Sequence, residues 1–308
     1  MDSLVALRSA VRAALEKYSA GDVILVAVSG GADSLALSEV AKIEGERLAL
    51  KVIGVTIDHQ LQSGSAAQAE KVVSQLSIPC LIEKVEVEIT DGLEASARRA
   101  RYEALDKCAK KNNAVAVLLG HTKDDQAETV LLGLARGSGA RSLAGMSEVN
   151  GIYIRPFLGI TRDETVAACK ELNLQPWNDP HNEDSSFSRV RVRKNVLPMM
   201  ESELSPGIKD ALVRSADLLR DDADALDALA QDFWAKDKSL DVEALLKLPK
   251  AVRTRVLRLA LFESGVSQLS AEQVGRVEAL ISNWKGQGEV SLPSGVKVSR
   301  ISGRLTLS

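Results

Sequence analysis

The sequence predicts an α/β protein: a doubly wound, mostly parallel sheet, followed by a second, mainly helical domain that ends in short strands. Three observations carry this expectation. Short runs rich in β-branched residues, VILVAV (23–28) and VIGVTI (52–57), alternate with longer helical patterns, as in a parallel sheet covered on both faces. The first run ends in Ser-Gly-Gly and passes into a helix, the kind of corner at which such sheets hold ligands. After Pro206-Gly207 the strand signal fades, and Ala, Leu and charged residues recur at helical spacing.

Taken in order, MDSLVALRSAVRAALEKYSAG predicts an amphipathic first helix. It has acidic residues and no signal-type cleavage pattern, so a cytoplasmic protein is expected. Strands follow at 23–28, 52–57, 79–87 (PCLIEKVEV), 114–119 (AVAVLL) and 152–157 (IYIRPF). Helical patterns occupy 34–44, 65–77, 93–112, 123–136 and 162–173. The stretch 175–190 is rich in Pro, Asn, Asp and Ser and reads as a loop. Helices are expected at 208–235, 241–248, 250–264 and 270–284, then antiparallel strands with turns at Pro293-Ser294-Gly295 and Ser302-Gly303. The expected domains are 1–200 and 205–308.

Bulk properties narrow the class. The 308 residues are 45% hydrophobic and 26% charged, ordinary for a globular protein, and no apolar run approaches a membrane span of roughly 20 residues. A net charge of −3 argues against coating nucleic acid by bulk charge but leaves local basic patches open. Cys80, Cys108 and Cys169 form no C-x-x-C pair, which disfavours a zinc ribbon or a sequence-local dithiol.

Two corners bear chemistry. In SGGADS (Ser29, Gly30, Gly31, Ala32, Asp33, Ser34) the glycines let the backbone bend and approach a ligand, and the N–H groups at the helix start attract anions. Asp33 or Ser34 caps the helix in one reading; in the other Asp33 holds magnesium on phosphate oxygens. No Walker-type G-x-x-x-x-G-K-[ST] occurs. The second corner is LLGHTKDDQAET (118–129). Asp125 and Glu128 share a helical face and suit a cation, whereas Asp124 reads as a solvated first-turn acid. His121, and more weakly His59, follow strand ends and suit a polar contact to nucleotide or substrate; a packed histidine is the plainer alternative. RGSG (136–139) reads equally as a glycine helix cap or a functional loop.

Basic residues cluster twice more. Arg98 and Arg101 share a helix face. Arg189, Arg191, Arg193 and Lys194 alternate with Val in SRVRVRK, which lines up cations for a phosphate track if the chain is extended; a surface strand or helix start is the alternative. Asp179 and Asn182 suit Asx turns, and Trp177 suits packing.

These motifs carry a resemblance. SGGADS is similar to the pyrophosphate (PP) loop of the N-type ATP pyrophosphatases. EASARRARY (94–102), GHTKDDQAETVLLGLARGSGARSLAGM (120–146), RPFLGITRDE (155–164) and WNDPHNEDSSFSRVRVRKNVLP (177–198) resemble the tRNA(Ile)-lysidine synthetase family within that group. The resemblance implies a PP-loop catalytic domain and ATP-dependent joining of L-lysine to C2 of the wobble cytidine in the CAU anticodon of tRNA(Ile), with a codon change from AUG to AUA. It implies ATP and Mg2+, with Ser29 to Ser34 and His59 at the nucleotide and Asp33 on the metal. It further implies Asp33, Arg98 and His121 at the reaction, Asp125 and Glu128 on the lysine, and Arg101, Arg189, Arg191, Arg193 and Lys194 on the tRNA. No membrane partner is expected; a homodimer is left open. Gln62 stands where many members have Arg, and the chain resembles the compact members without a further C-terminal domain. Lys285, Lys297, Arg300 and Arg304 are further tRNA candidates. A PP-loop tRNA thiolase and a non-catalytic nucleotide-binding protein are the rival readings.

Overall fold

In the computed structural model, which describes residues 3–60, 64–88, 92–137, 139–178, 183–266 and 269–308, side-chain alternation along the central strands sorts the first core into two faces. Helix α1 (Ser3–Leu15) precedes β1 (Val23–Ala27), α2 (Ala32–Arg47), β2 (Lys51–Asp58), α3 (Ser65–Gln75), β3 (Cys80–Lys84), α4 (Leu93–Lys111), β4 (Ala114–Leu119) and α5 (Lys123–Ala135). Then come α6 (Ala140–Leu143), β5 (Val149–Asn150), β6 (Tyr153–Ile154) and α7 (Arg162–Glu171). Ile24, Val26, Ala116 and Leu118 pack with α1, α2 and α7 through Leu7, Val11, Leu35 and Ala168. Their neighbours Leu25, Ala27, Val117 and Leu119 pack on the other face, against Leu105, Cys108 and Ala109 of α4. The period of two in a strand makes this inevitable once both faces are covered.

The strand order is β3-β2-β1-β4-β6-β5, parallel except for the β5–β6 pair. The chain fills one side of β1 with β2 and β3, then crosses to the other side with β4, where β6 and β5 follow. The switch point, and hence the expected ligand crevice, lies at the carboxyl ends of β1 and β4.

The expected elements are present with shifted ends: 152–157 contributes only a two-residue strand, and 79–87 pairs only over Cys80–Lys84. The larger departure is at 188–194. The phosphate track depended on an extended stretch, with a surface strand or helix start as the alternative; the segment is helical: α8 (Ser188–Arg191), a π-turn at Val192–Val196 and α9 (Leu197–Glu203). Val190 and Val192 are buried, and Val192 and Leu197 pack with Ala127 of α5. Burial of the valines thus overrides their β propensity.

A long helix, α10 (Ile208–Lys236), follows. The chain divides into compact units at Asp217/Leu218, inside α10. The second unit comprises the rest of α10, α11 (Val242–Leu246), α12 (Lys250–Glu263), α13 (Ala271–Ser282) and an antiparallel sheet of β7 (Val290–Ser291), β8 (Lys297–Ile301) and β9 (Arg304–Leu307). Its core joins Trp234, Leu245, Val256, Leu280 and Val298. Beside that core Arg253 donates to Glu278 from Nε (3.0 Å) and Nη2 (2.5 Å), and both residues are buried. No described helix is long and apolar enough to cross a membrane.

One buried charge ties α1 to α2. Glu44 is fully buried, and it accepts from Arg8 Nε (2.7 Å), Arg12 Nε (2.9 Å) and Arg47 Nη1 (3.4 Å). The Arg12 hydrogen bond, helped by Arg8 and opposed by burial, holds its carboxyl at about 2. Because the folded pKa lies below the unfolded one, this stabilisation is complete above about pH 4.5 and fades as pH falls toward 2. Glu44→Ala is expected to cost about 2–3 kcal/mol in urea unfolding at pH 7, with a smaller difference from wild type near pH 3.

Candidate active site

The Ser-Gly-Gly corner is shaped by Gly30. Its φ is +88°, and an ideal Cβ there would stand 2.5 Å from Val72 Cγ2, so both conformation and space demand glycine. Gly31 is the N-cap of α2 at φ −73°, with only Ser29 Oγ near an ideal Cβ. Neither Asp33 nor Ser34 caps the helix as one reading expected. Ser34 Oγ instead accepts from Ser29 N–H (3.1 Å) and donates to the Gly31 carbonyl (3.0 Å), closing the loop on itself. Half-buried Trp177 pins the loop by donating its backbone N–H to the Gly30 carbonyl (2.9 Å). Cys169 Sγ lies 3.3 Å from the Ala32 carbonyl.

The second corner abuts the first. An ideal Cβ at Gly120, just beyond β4, would lie 3.1 Å from the Asp33 carbonyl carbon and 3.2 Å from Ser34 Cα. Glycine here lets two backbones meet. Ser29, Gly31, Asp33 and Ser34 from the first corner, Gly120 and His121 from the second, and Arg101 from α4 line one cavity of about 100 Å³. That space suits a phosphate-sized group, so the sugar and base of a nucleotide must lie beyond it.

The cavity is electropositive on its α4 side. Burial, with Arg98 and Arg155 nearby, lowers the Arg101 pKa. Arg155 is buried and donates to the Ser147 carbonyl (2.8 Å) and Tyr102 Oη (3.4 Å); its Nε has no partner. Arg98 is exposed and stacks over Tyr102, 5.0 Å from the ring centroid. Burial followed by Arg101 drives the His121 pKa down to about 3 and lowers that of His59. Both imidazoles are therefore neutral near pH 7, and the buried Nδ1 of each lacks a partner.

The acids of α5 are neither solvated nor idle. Thr122 is the N-cap, and its N–H and Oγ1 donate to Asp125 Oδ2 at 2.9 and 3.0 Å. Asp125 Oδ1 accepts from Arg162 Nη2 at 2.9 Å, with Arg193 Nη2 3.5 Å away. Glu128, fully buried, takes a two-pronged grip from Arg193, Nε to Oε1 at 2.6 Å and Nη2 to Oε2 at 3.0 Å. Arg162 Nη1 stands 3.8 Å from Glu128 Oε1, and its Nε donates to Asp33 Oδ2 at 3.4 Å. Thr165 Oγ1 donates to Asp33 Oδ1. Asp33, Asp125 and Glu128 thus share two guanidiniums, an excess of one negative charge. Burial pushes the Asp33 and Glu128 carboxyls up, whereas Asp125, despite burial, is held low by Arg162 and the Thr122 N–H. Asp124 is not a solvated acid either: it accepts from Arg162 N–H (2.8 Å) and Lys209 Nζ (2.8 Å).

Helical geometry disperses the expected cation track. Arg193 turns inward to Glu128, Lys194 pairs with Glu183, and Arg191 grips the carbonyls of Ser185 and Ser186 at 2.7 Å. Arg189 donates to Thr129 Oγ1 (3.3 Å) and, with Arg136, lines a cavity of about 440 Å³. Gly137, at φ +65°, donates its N–H to the Leu134 carbonyl, so it is a glycine cap of α5. In the second unit Lys297 pairs with Glu289, Arg300 sits over Trp284 (5.3 Å), and Lys285 and Arg304 are exposed. Gln62, Asp179 and Asn182 lie outside the described residues.

Sequence reasoning missed Arg162, Thr165 and Arg155. A signal for Arg162 was present. Thr161 and Glu164 form a capping box that places Arg162 in the first turn of α7, where the helix dipole repels a cation. An arginine there calls for nearby carboxylates.

Comparison with known proteins agrees with this architecture. Residues 5–200 match the family model of a PP-loop domain, and residues 240–306 match that of a TilS substrate binding domain. The tRNA(Ile)-lysidine synthase of Thermobifida fusca is 47% identical over 312 residues, covering 98% of this chain and 96% of that protein. Its counterpart from Streptomyces coelicolor is 48% identical over 297 residues, covering 92% and 84%. Among solved structures, the U34-tRNA thiolase NcsA from Methanococcus maripaludis is similar in fold alone, with a TM-score of 0.58 and 18% identity over 71% of this chain and 79% of its own. With residues 5–200 matching a PP-loop domain, residues 240–306 matching a TilS substrate binding domain and relatives matched along nearly their whole length, the chain belongs to the tRNA(Ile)-lysidine synthase family.

Proposed function

We propose that this chain is an ATP-dependent carbon–nitrogen ligase that joins L-lysine to C2 of the wobble cytidine of tRNA(Ile) bearing a CAU anticodon, acting in the cytoplasm. The carrying observation is the junction of two corners: a phosphate-sized cavity of loop N–H groups and Arg101, bridged through Asp33 and Arg162 to a buried acidic pair.

The chemistry follows from the leaving group. The cytidine O2 attacks the α-phosphate of ATP, and pyrophosphate departs. The lysine ε-amine then attacks C2, and AMP leaves. The loop from Ser29 to Ser34 holds the pyrophosphate by backbone N–H groups, and Arg101 offsets its charge. His121, neutral and with an unpartnered Nδ1, is a hydrogen-bonding group at the reacting nucleotide, and His59 does the same from β2. Arg98 sits further out, on the surface of α4.

Asp33 alone among the described carboxylates lines the cavity, and no described cluster of three metal-ligating side chains exists. This donor set fits magnesium held mostly by phosphate oxygens and water, with Asp33 as its protein ligand. Such an ion supplies charge neutralisation during phosphoryl transfer.

Asp125 and Glu128 receive the lysine ammonium, whose charge offsets the surplus carboxylate. Arg98, Arg191 and Lys194 on the surface, with Arg189 and Arg136 on the larger cavity, receive RNA phosphates; Arg193 serves the acidic pair. A thiolase reading is weakened by the cysteines: burial raises all three thiols to about 11, so none offers a ready thiolate near pH 7.

Labelled lysine is expected to enter a tRNA(Ile) transcript only with ATP, with one pyrophosphate released per lysine; ATP cleavage indifferent to tRNA and lysine would overturn the assignment. Asp125→Asn keeps an acceptor for the Thr122 cap but removes the charge. It should raise the lysine KM about 10- to 100-fold without raising the ATP KM; an unaltered lysine KM removes Asp125 from the lysine site. If all five cations contact phosphate, tRNA affinity measured by filter binding should fall on the order of 100- to 500-fold between about 50 and 200 mM salt.

A further inference from the structure

We infer that Arg162 couples the two substrate pockets, so that nucleotide bound at the glycine corner uncovers the carboxylate that receives the lysine ammonium. The inference rests on the lysine-site reading above and assigns a positioning role to a residue not otherwise used in that chemistry.

The geometry supplies the argument. Every oxygen of the acidic pair is already engaged. Asp125 Oδ2 is held by the Thr122 N–H and hydroxyl, and both Glu128 oxygens by Arg193. Asp125 Oδ1 takes the Arg162 guanidinium. An incoming ammonium is therefore better received if one of the two guanidiniums moves aside. Arg193 is a poor candidate, because its Nε and Nη2 both bond a fully buried carboxylate, one to each oxygen. Arg162 has an alternative in reach: its Nε is already 3.4 Å from Asp33, which lines the phosphate-sized cavity. The side chain is about a quarter exposed, so rotation is not blocked on all sides. Its backbone N–H stays fixed on Asp124, so the helix start need not move.

Nucleotide phosphates beside Asp33 bring several negative charges to one end of this bridge. The guanidinium follows them, and Asp125 Oδ1 is left for the ammonium. Without nucleotide, Arg162 occupies the place of the substrate cation and excludes it. By thermodynamic reciprocity, lysine must tighten nucleotide by the same factor.

Calorimetric titration of the full chain with L-lysine, with and without saturating α,β-methylene ATP, tests this. The analogue should tighten lysine about tenfold, and lysine should tighten the analogue equally. In Arg162→Gln both factors should fall to about one, with lysine binding no longer waiting on nucleotide. Arg162→Lys keeps the charge but not the fork, so its factor should be about threefold or less; it provides the reading if the glutamine variant does not fold. A purely structural role would lower the melting temperature of both variants and leave the factors intact, which overturns the inference. Lysine binding to wild type without any effect of the analogue also overturns it while sparing the lysine site. No lysine binding under either condition overturns both.

Discussion

Three carboxylates from two helices converge on the Arg162 guanidinium, and the chemistry of the site depends on that convergence. Asp33 comes from the first turn of α2, and Asp125 and Glu128 from the start of α5. These helices follow strands that are neighbours in the sheet but far apart in sequence. Left unpaired, three such acids at close range would repel one another or take up protons. A planar fork with five donors can bridge them, and a lysine at the same place could not do so with fixed geometry.

This cluster needs a firm foundation, and the sheet provides it. Both central strands are buried on both faces, and Gly120 permits backbone contact between the corners. Arg101 and His121 line the cavity, and the charges of Arg101 and Arg155 help to keep that imidazole neutral. On the proposed reading the cavity takes phosphate and the acidic pair takes ammonium, with Asp33 lining the cavity and bonded to the Arg162 that grips Asp125. Such a polarised crevice suits a reaction that brings an anionic nucleotide and a cationic amino acid to one base.

The neighbouring basic segment shows how context redistributes charge. Alternating Arg and Val has a simple meaning in a strand, where every arginine faces one way. In a helix the same residues spread around the axis. Arg193 then points to Glu128, Arg191 to loop carbonyls and Arg189 to a cavity wall. The pattern was a poor indicator of what each arginine touches.

Local information was enough to read the strand–helix alternation, the Gly30 bend, the mainly helical character after Pro206-Gly207 and the terminal antiparallel strands. Each rests on periodicity or turn chemistry within a few residues, where backbone sterics and burial decide the outcome. The ordered motifs of the first 200 residues also pointed to the family. What only the tertiary structure decided was pairing: Arg162 with Asp33 and Asp125, Arg193 with Glu128, Lys209 with Asp124, Glu44 with three arginines, and the helical state of 188–203. Those outcomes depend on which distant charges the sheet order brings within a few ångströms and which apolar side chains find a buried face. Attraction of that kind falls off with distance in space and is indifferent to distance along the chain.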